Sequence, residues 1–423
     1  MQLLIKKATI VHADSPYQGQ QVDLYVKDGV ITEIGENISK KNVQIIDLED
    51  IHVSIGWFDM GVQVGDPGYE HREDLTTVAD AATAGGYTAI ATLPNTQPVV
   101  DSKSQVRYLK NNTQESLVDF FPIAAISKDC QGKDITEMID MHHAGAIAFS
   151  DGNKSIQDNG MMMRALQYVK TFDGLIINHP YDKSVSPGGQ INESIVSTSL
   201  GLLGIPNLSE DLMVVRDLYL AEYTDSKLHL SNISTAYAVD LVRKAKKKGI
   251  KVTASVAALN LGFDDSVLQD FDSNFKVLPP IREKNDQREL QKGVLDGTID
   301  LITSNHVPWH EESKILEFSY ADFGAIGLET TFGLANKILY KKLSLNDLVK
   351  KFTITPRQIL NLPIPELKEN SKANLTIFQP NKEWVFSQKD IFSKSKNTPL
   401  VGETLKGQIV GVVKDNRYFI RKS

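Results

Sequence analysis

The chain has 423 residues, of which 41% are hydrophobic and 23% charged, an ordinary globular composition that argues against wholesale disorder. Its net charge of −7 and the lack of any basic run make it a poor partner for nucleic acid or an anionic membrane surface, since both need positive charge. Cys130 is the single cysteine, which excludes an intrachain disulfide framework and a multi-thiolate zinc site.

Taken in chain order, the N-terminal stretch is β-rich at residues 3–11, 22–27 and 30–34, with Asp28-Gly29 as a hairpin signal between the last two. Met1 to Lys7 does not read as a signal peptide. No apolar run reaches the roughly 18 residues of a membrane helix, so the expectation is a soluble, cytoplasmic protein. From residue 55 the texture changes. Apolar β-rich runs recur at 55–64, 87–93, 120–126, 146–149, 175–178, 227–230, 250–256 and 299–303, and helical patterns separate most of them. One helix is expected over 74–84, ending at Gly85-Gly86. Another is expected over 235–248, capped by Ser234 or Thr235 and stopped by Gly249.

Strands alternating with helices imply parallel pairing and right-handed crossovers. Eight such units point to an α/β fold of the (β/α)8 TIM-barrel type. A doubly wound open sheet is the alternative, disfavoured because no Gly-rich nucleotide fingerprint follows any strand. After residue 365 the sequence is strand-like again, at 375–378, 408–413 and 418–420. The expected organisation is a small β-sandwich domain built from 1–53 and 366–423, flanking a barrel of 54–365.

In such barrels the site lies at the C-terminal strand ends. The polar residues there are Gln63, Asn95, Ser150-Asp151, His179, Asn232 and Asn305-His306, expected to ring one pocket. A zinc site needs imidazoles and carboxylates, and only Asp151, His179 and His306 supply them. Gln63, Asn232 and Asn305 are neutral amides, which rarely hold zinc. Asp151 and His179 are expected to form a hydrogen-bonded pair. His306 is the candidate third ligand of a rearranged mononuclear site. His71 is expected at the start of the 74–84 helix, His142-His143 on a surface helix, and Trp309-His310 on a surface loop.

Several segments carry a family resemblance. They include Asp66-Pro67-Gly68-Tyr69-Glu70-His71-Arg72-Glu73-Asp74, Ala84-Gly85-Gly86-Tyr87-Thr88, Leu93-Pro94-Asn95-Thr96 and Phe149-Ser150-Asp151-Gly152. Residues 160–168, 228–235, 275–282, 295–300 and 394–399 continue the match in order, over nearly the whole chain. Together they resemble dihydroorotase. The resemblance implies an amidohydrolase barrel beside a β-domain from both termini. It also implies the reversible ring closure of N-carbamoyl-L-aspartate to dihydroorotate on a zinc-activated water, the third step of pyrimidine synthesis.

Carried over residue by residue, the family's His-x-His falls on Gly61 and Gln63, and its substrate-gripping arginine on Gly65. The bridging carboxylate falls on Asp151 and the strand-five histidine on His179, both kept. The strand-six histidine becomes Asn232, and the strand-eight aspartate, both ligand and general base, becomes Asn305. The substrate-contacting asparagine is kept as Asn95, and the one before the paired prolines becomes Leu278. The expectation is therefore a chain without zinc or catalytic residues, its family pocket vestigial. Non-catalytic family members that it resembles associate with aspartate transcarbamoylase, the partner the resemblance implies. Homo-oligomerisation is the rival arrangement. The alternative function is a cyclic-amide hydrolase with a rearranged metal site. The sequence offers no exposed apolar repeat or charge block to mark a partner surface.

Overall fold

The computed structural model describes residues 1–421. Eight parallel strands run around a barrel in sequence order: Trp57–Val62, Tyr87–Thr92, Asp119–Ala124, Ala148–Phe149, Ile176–Asn178, Leu228–Leu230, Val252–Ala257 and Leu301–Thr303. They are called strands one to eight below. Strands eight and one close the ring through individual bonds. Gln63 N–H donates to His306 O at 3.0 Å, and Ser304 N–H donates to the buried Asp59 carboxylate at 3.1 Å. The architecture is the (β/α)8 barrel that the eight apolar runs imply.

The terminal segments pair with each other. Gln2–Ile10, Gln21–Lys27, Val30–Gly35 and His52–Ile55 share one hydrogen-bonded sheet with Asn374–Val385, Thr404–Lys414 and Arg417–Ile420. The short strand Gln44–Ile46 pairs beside the first.

The apolar run 55–64, read from sequence as one strand, is divided between the two sheets. His52–Ile55 pairs with the C-terminal strand, and strand one begins at Trp57. Gly56 is the crossing point, because a Cβ there would collide with the side chains of Asn374 and Thr88. Trp57 is fully buried at this seam, with ring centroids 4.7–6.1 Å from Phe332, Phe352, Phe378 and Tyr87. Large flat side chains fill the junction and contribute much of its apolar burial.

The helices begin and end where capping chemistry directs. Asp74 accepts from the N–H groups of Thr76 and Thr77 to start Leu75–Ala84. Thr235 accepts from Ala238 N–H to start Ala236–Lys248, and Gly249 in the left-handed region ends it. His71 therefore lies in the turn ahead of its helix, not within the first helical turn. His142 and His143 are exposed on the short helix Met138–Ala144. Among the described residues, no helix is long and apolar enough to cross a membrane.

Candidate functional site

The strand ends converge on a cavity of about 50 Å3, lined by Gln63, His179, Asn232 and Asn305 together with Gly61, Leu278 and their neighbours. Asn232 follows strand six and Asn305 follows strand eight. Both adopt left-handed backbone, φ 55° and 47°, a region that asparagine tolerates better than most side chains. This turns the two amides toward each other. Asn232 Nδ2 donates to Asn305 Oδ1 at 3.2 Å, and Asn305 Nδ2 donates to Leu278 O at 3.0 Å. Asn232 Oδ1 accepts from Thr303 Oγ1 at 2.6 Å and from Ser255 Oγ at 3.4 Å. The amides are thus engaged by protein on both their donor and acceptor sides.

The network continues downward through His229, which sequence reasoning missed. Its Nδ1 lies 2.9 Å from Thr253 Oγ1 and its Nε2 3.1 Å from Ser255 Oγ. Thr253 and Ser255 alternate along strand seven, so both point to the same side. That alternation is the only sequence signal for the contact. Burial lowers the His229 pKa to about 3, and the imidazole is neutral. His179 is likewise desolvated, with its pKa lowered to about 4 and a backbone bond to Ser231 opposing the shift.

Asp151 does not pair with His179, contrary to the sequence expectation. Its carboxylate turns to the end of strand three and accepts from Ile126 N–H and Ser127 N–H, each at 2.9 Å, and from the Ser127 hydroxyl. Burial raises its pKa, and these three donors oppose the rise. Ser127 is a second residue the sequence did not single out. Asn95 does not line the cavity either. Its Nδ2 donates to Asp151 O at 3.0 Å and its Oδ1 accepts from Asn153 N–H at 3.1 Å, so it fastens the 151–153 loop. Asn178, also unmarked by sequence, donates to the buried Asp217 at 2.6 Å.

His306 sits behind the mouth. Its Nδ1 accepts from Gly327 N–H at 3.3 Å, and its Nε2 faces Glu73 at 3.5 Å, with both side chains fully buried. A rearranged mononuclear site would need Asp151, His179 and His306 aimed at one point, and the structure turns them to three different places. Trp309, on the following loop, stacks under the Arg72 guanidinium at 3.8 Å. His310 borders a separate surface hollow with His71. Cys130 is buried, and burial pushes its thiol pKa up.

The loop after strand one is built on glycine. Gly61 has φ 95°, a strained conformation for any other side chain. At Gly65 a Cβ would run into the carbonyl oxygens of Tyr69 and Glu73. Neither position accepts the histidine or arginine that the family resemblance places there unless the backbone moves.

The donor set does not suit zinc. Two mutually bonded amides, a glycine and a glutamine stand where imidazole and carboxylate ligands would be needed. The one carboxylate is consumed by strand three. Among the described residues, no group of three or more His, Cys, Asp or Glu side chains is arranged to hold a metal ion.

The fold is a (β/α)8 barrel beside a sheet built from both termini. The L-hydantoinase (dihydropyrimidinase) of Arthrobacter aurescens superposes with a TM-score of 0.86 at 22% identity, covering 100% of this chain and 96% of that one. The dihydropyrimidinase of Brevibacillus agri NCHU1002 gives 0.83 at 19% identity, over 100% and 95%. At these identities the likeness concerns the fold. The sequence comparisons are closer. Residues 52–238 match the family model described as Dihydro-orotase-like. The chain is 38% identical to the dihydroorotase of Syntrophus aciditrophicus over 97% of both chains, and 38% identical to that of Acetivibrio thermocellus over 99% of both. The chain belongs to the dihydroorotase family.

Proposed function

We propose that this chain is a non-catalytic member of the dihydroorotase family that serves pyrimidine synthesis through protein contacts, with aspartate transcarbamoylase as its partner. The observation that carries the loss of catalysis is the Asn232–Asn305 bond and the protein groups that saturate both amides. An amide at 305 takes no proton from water at neutral pH, so the position of the general base is chemically inert. Without a metal, water there has no means of reaching a pKa near ~7. The cavity of about 50 Å3 holds a few water-sized occupants, against roughly 300–1,000 Å3 for typical small-molecule sites. The partner assignment rests on the resemblance to non-catalytic members of the family that associate with aspartate transcarbamoylase.

The deciding experiment assays purified protein with dihydroorotate, with and without added zinc, alongside elemental analysis. The expected result is background turnover and no zinc retained through dialysis. Zinc-dependent turnover, or stoichiometric retained metal, would refute the catalytic half of the proposal. Failure of aspartate transcarbamoylase to co-purify from the native cell, with its activity unchanged on deletion of this protein, would refute the partner half.

A further inference from the structure

The chain folds a second hollow, of about 380 Å3, whose described lining shares no residue with the cavity at the strand ends. Segments far apart in sequence build it, among them the turn at His71, the loop after strand eight and residues 394–397 of the C-terminal chain. These segments are fastened to the barrel by their own bonds. Ser395 Oγ donates to Arg72 O at 2.7 Å, and Asn397 Nδ2 donates to Val307 O at 3.0 Å and to Gly324 O at 3.1 Å. Lys314, Lys394 and Lys396 line the hollow with the imidazoles of His71 and His310, and Glu311 is the one acidic residue of the described lining. Lys394 has a carboxylate partner, Asp74 at 3.3 Å. The other two ammonium groups bond main-chain carbonyls instead. Lys314 Nζ donates to Asp322 O at 2.7 Å and Gly324 O at 3.1 Å, and Lys396 Nζ donates to Ile391 O at 3.0 Å and Ser393 O at 2.7 Å. An ammonium has three donors, so each keeps one for a ligand. Lys314 is only 5% exposed. Burial lowers its pKa to about 8, with Lys276 adding to the fall and Asp322 and Asp272 opposing it. Its charge is therefore held there at a cost, which an anion in the hollow would relieve.

We propose that this hollow is a binding site for the phosphate monoester of a small organic molecule. The chain as a whole carries a net charge of −7, yet here three ammonium groups meet one lining carboxylate. A concave surface lined by one sign of charge concentrates the opposite ion. Lysine serves phosphate well because its ammonium acts as a point charge with freely turning donors. The rings of His71 and His310 stand 6.3 Å apart between centroids, a gap that one phosphate group can bridge with its several acceptor oxygens. A dianion balances both ammonium groups that lack a carboxylate partner, where a single carboxylate would balance one. A metal cation would meet like charge. The volume lies within the roughly 300–1,000 Å3 of small-molecule sites and exceeds what phosphate alone would fill. Ile315, 72% exposed, gives the remainder of the ligand an apolar wall. The site stands apart from the mouth, so the proposal does not depend on whether the barrel is catalytic.

Isothermal titration calorimetry of the full-length chain with phenyl phosphate tests this. The expected result is one site per chain with a Kd below about 1 mM. Inorganic phosphate competes for the same site more weakly, and benzyl alcohol, which has no phosphate, does not bind. The His310→Gln, Lys396→Gln double variant, at two exposed positions, weakens phenyl phosphate by about 10-fold or more and leaves the circular dichroism spectrum unchanged. A second measurement uses the unaltered protein and so survives misfolding of the variant. Phenyl phosphate shifts the imidazole ring-proton NMR signals of His71 and His310, while those of the exposed His142 and His143 stay in place. Neither heat nor shifts at about 10 mM phenyl phosphate would overturn the proposal. So would binding that the folded double variant retains in full, or shifts that spread equally to His142 and His143, the mark of unspecific ionic contact. Inorganic phosphate binding as tightly as phenyl phosphate would overturn the assignment to an ester.

Discussion

Two buried polar clusters share this barrel and have opposite chemistry. At the mouth, Asn232, Asn305, Thr303, Ser255 and His229 form a network without a single formal charge. Behind strands one and eight, Asp59, Glu73 and Glu329 surround His306, and all four are buried. Each of these carboxylates holds backbone. Asp59 accepts from Ser304 N–H, Glu73 from Lys394 N–H at 3.0 Å, and Glu329 from Phe392 and Ser393 N–H at 3.1 and 3.0 Å. The rear cluster ties the seam of the barrel to the 391–397 segment of the C-terminal chain. A carboxylate that fastens several backbone donors is costly to lose, because every donor would be orphaned. The mouth links the ends of strands six and eight, and there neutral amides satisfy one another without any ion to balance. Buried carboxylates stand at the rear, where each fastens backbone donors, and the bonded amide pair at the mouth carries no charge.

The largest expected effect comes from breaking the rear cluster. Glu73→Ala removes a fully buried acceptor for Lys394 N–H and for the Ser393 and Thr77 hydroxyls. The expected loss is about 3–5 kcal/mol in denaturant unfolding, the range for breaking a buried charge network. A loss below about 1 kcal/mol, typical of a surface substitution, would show that the cluster is not what fastens the seam.

The two clusters also respond to pH with opposite sign. His229 has a folded pKa of about 3 against 6.5 when exposed. Its neutral form supports the fold fully above 6.5, and that support is lost as pH falls toward 3. Asp59 has a folded pKa raised by burial to about 6 from 3.8. Its protonated form supports the fold below 3.8, and that support is lost as pH rises through 6. Removing each titration therefore moves stability in opposite directions. His229→Gln should gain on the wild type as pH drops from 7 to 4, and Asp59→Asn should gain on it as pH climbs from 4 to 7. Each change is about 3 kcal/mol at ~1.36 kcal/mol per pKa unit. Thermal unfolding across that range, run on both variants, would show parallel rather than crossing profiles if the assignments are wrong.

Returning charge to the mouth sharpens the contrast. Asn305→Asp replaces the donor to Leu278 O by an oxygen, so two acceptors face each other at the present 3.0 Å. A cost of about 1–3 kcal/mol at neutral pH is expected, easing as the new carboxyl protonates on acidification. Dihydroorotate turnover with added zinc should stay at background, because metal sites act as units and Gly61, Gln63 and Asn232 are unchanged. Measurable turnover would mean that the remaining groups assemble a site after all. The smallest effect is expected from Thr303→Val, which deletes the 2.6 Å bond to Asn232 Oδ1 while Ser255 still donates there. About 1 kcal/mol is expected, and a neutral result would show that the amide pair holds its geometry without this hydroxyl.

Much of the fold was legible in the residues. The eight apolar runs were the eight barrel strands because a parallel sheet buried on both faces needs near-continuous apolar strands. Asp74, Thr235 and Gly249 marked helix ends because capping is local chemistry between neighbours in the chain. The divided run at Gly56 was not legible. Both halves are apolar and extended, and only the approach of Thr88 and of the distant Asn374 makes the glycine a crossing point.

The residue types at the mouth were likewise set by sequence. The amides at 232 and 305, wherever they point, and the glycines at 61 and 65, which have no side chain, argue against zinc chemistry. Their partners were decided in three dimensions. Asp151 bonds Ser127 and not His179, Asn95 fastens a loop, and His306 faces Glu73, because each contact joins residues that lie apart in the chain and meet only in the folded barrel. The Leu208–Thr224 helix makes the same division plain. Its composition is written in the sequence, yet which face meets water depends on where the buried Asn178, Ser234 and Arg282 await its carboxylates. Local propensity and period are properties of neighbouring residues and can be read along a line. The choice of hydrogen-bond partner and of buried face belongs to residues that only folding brings together.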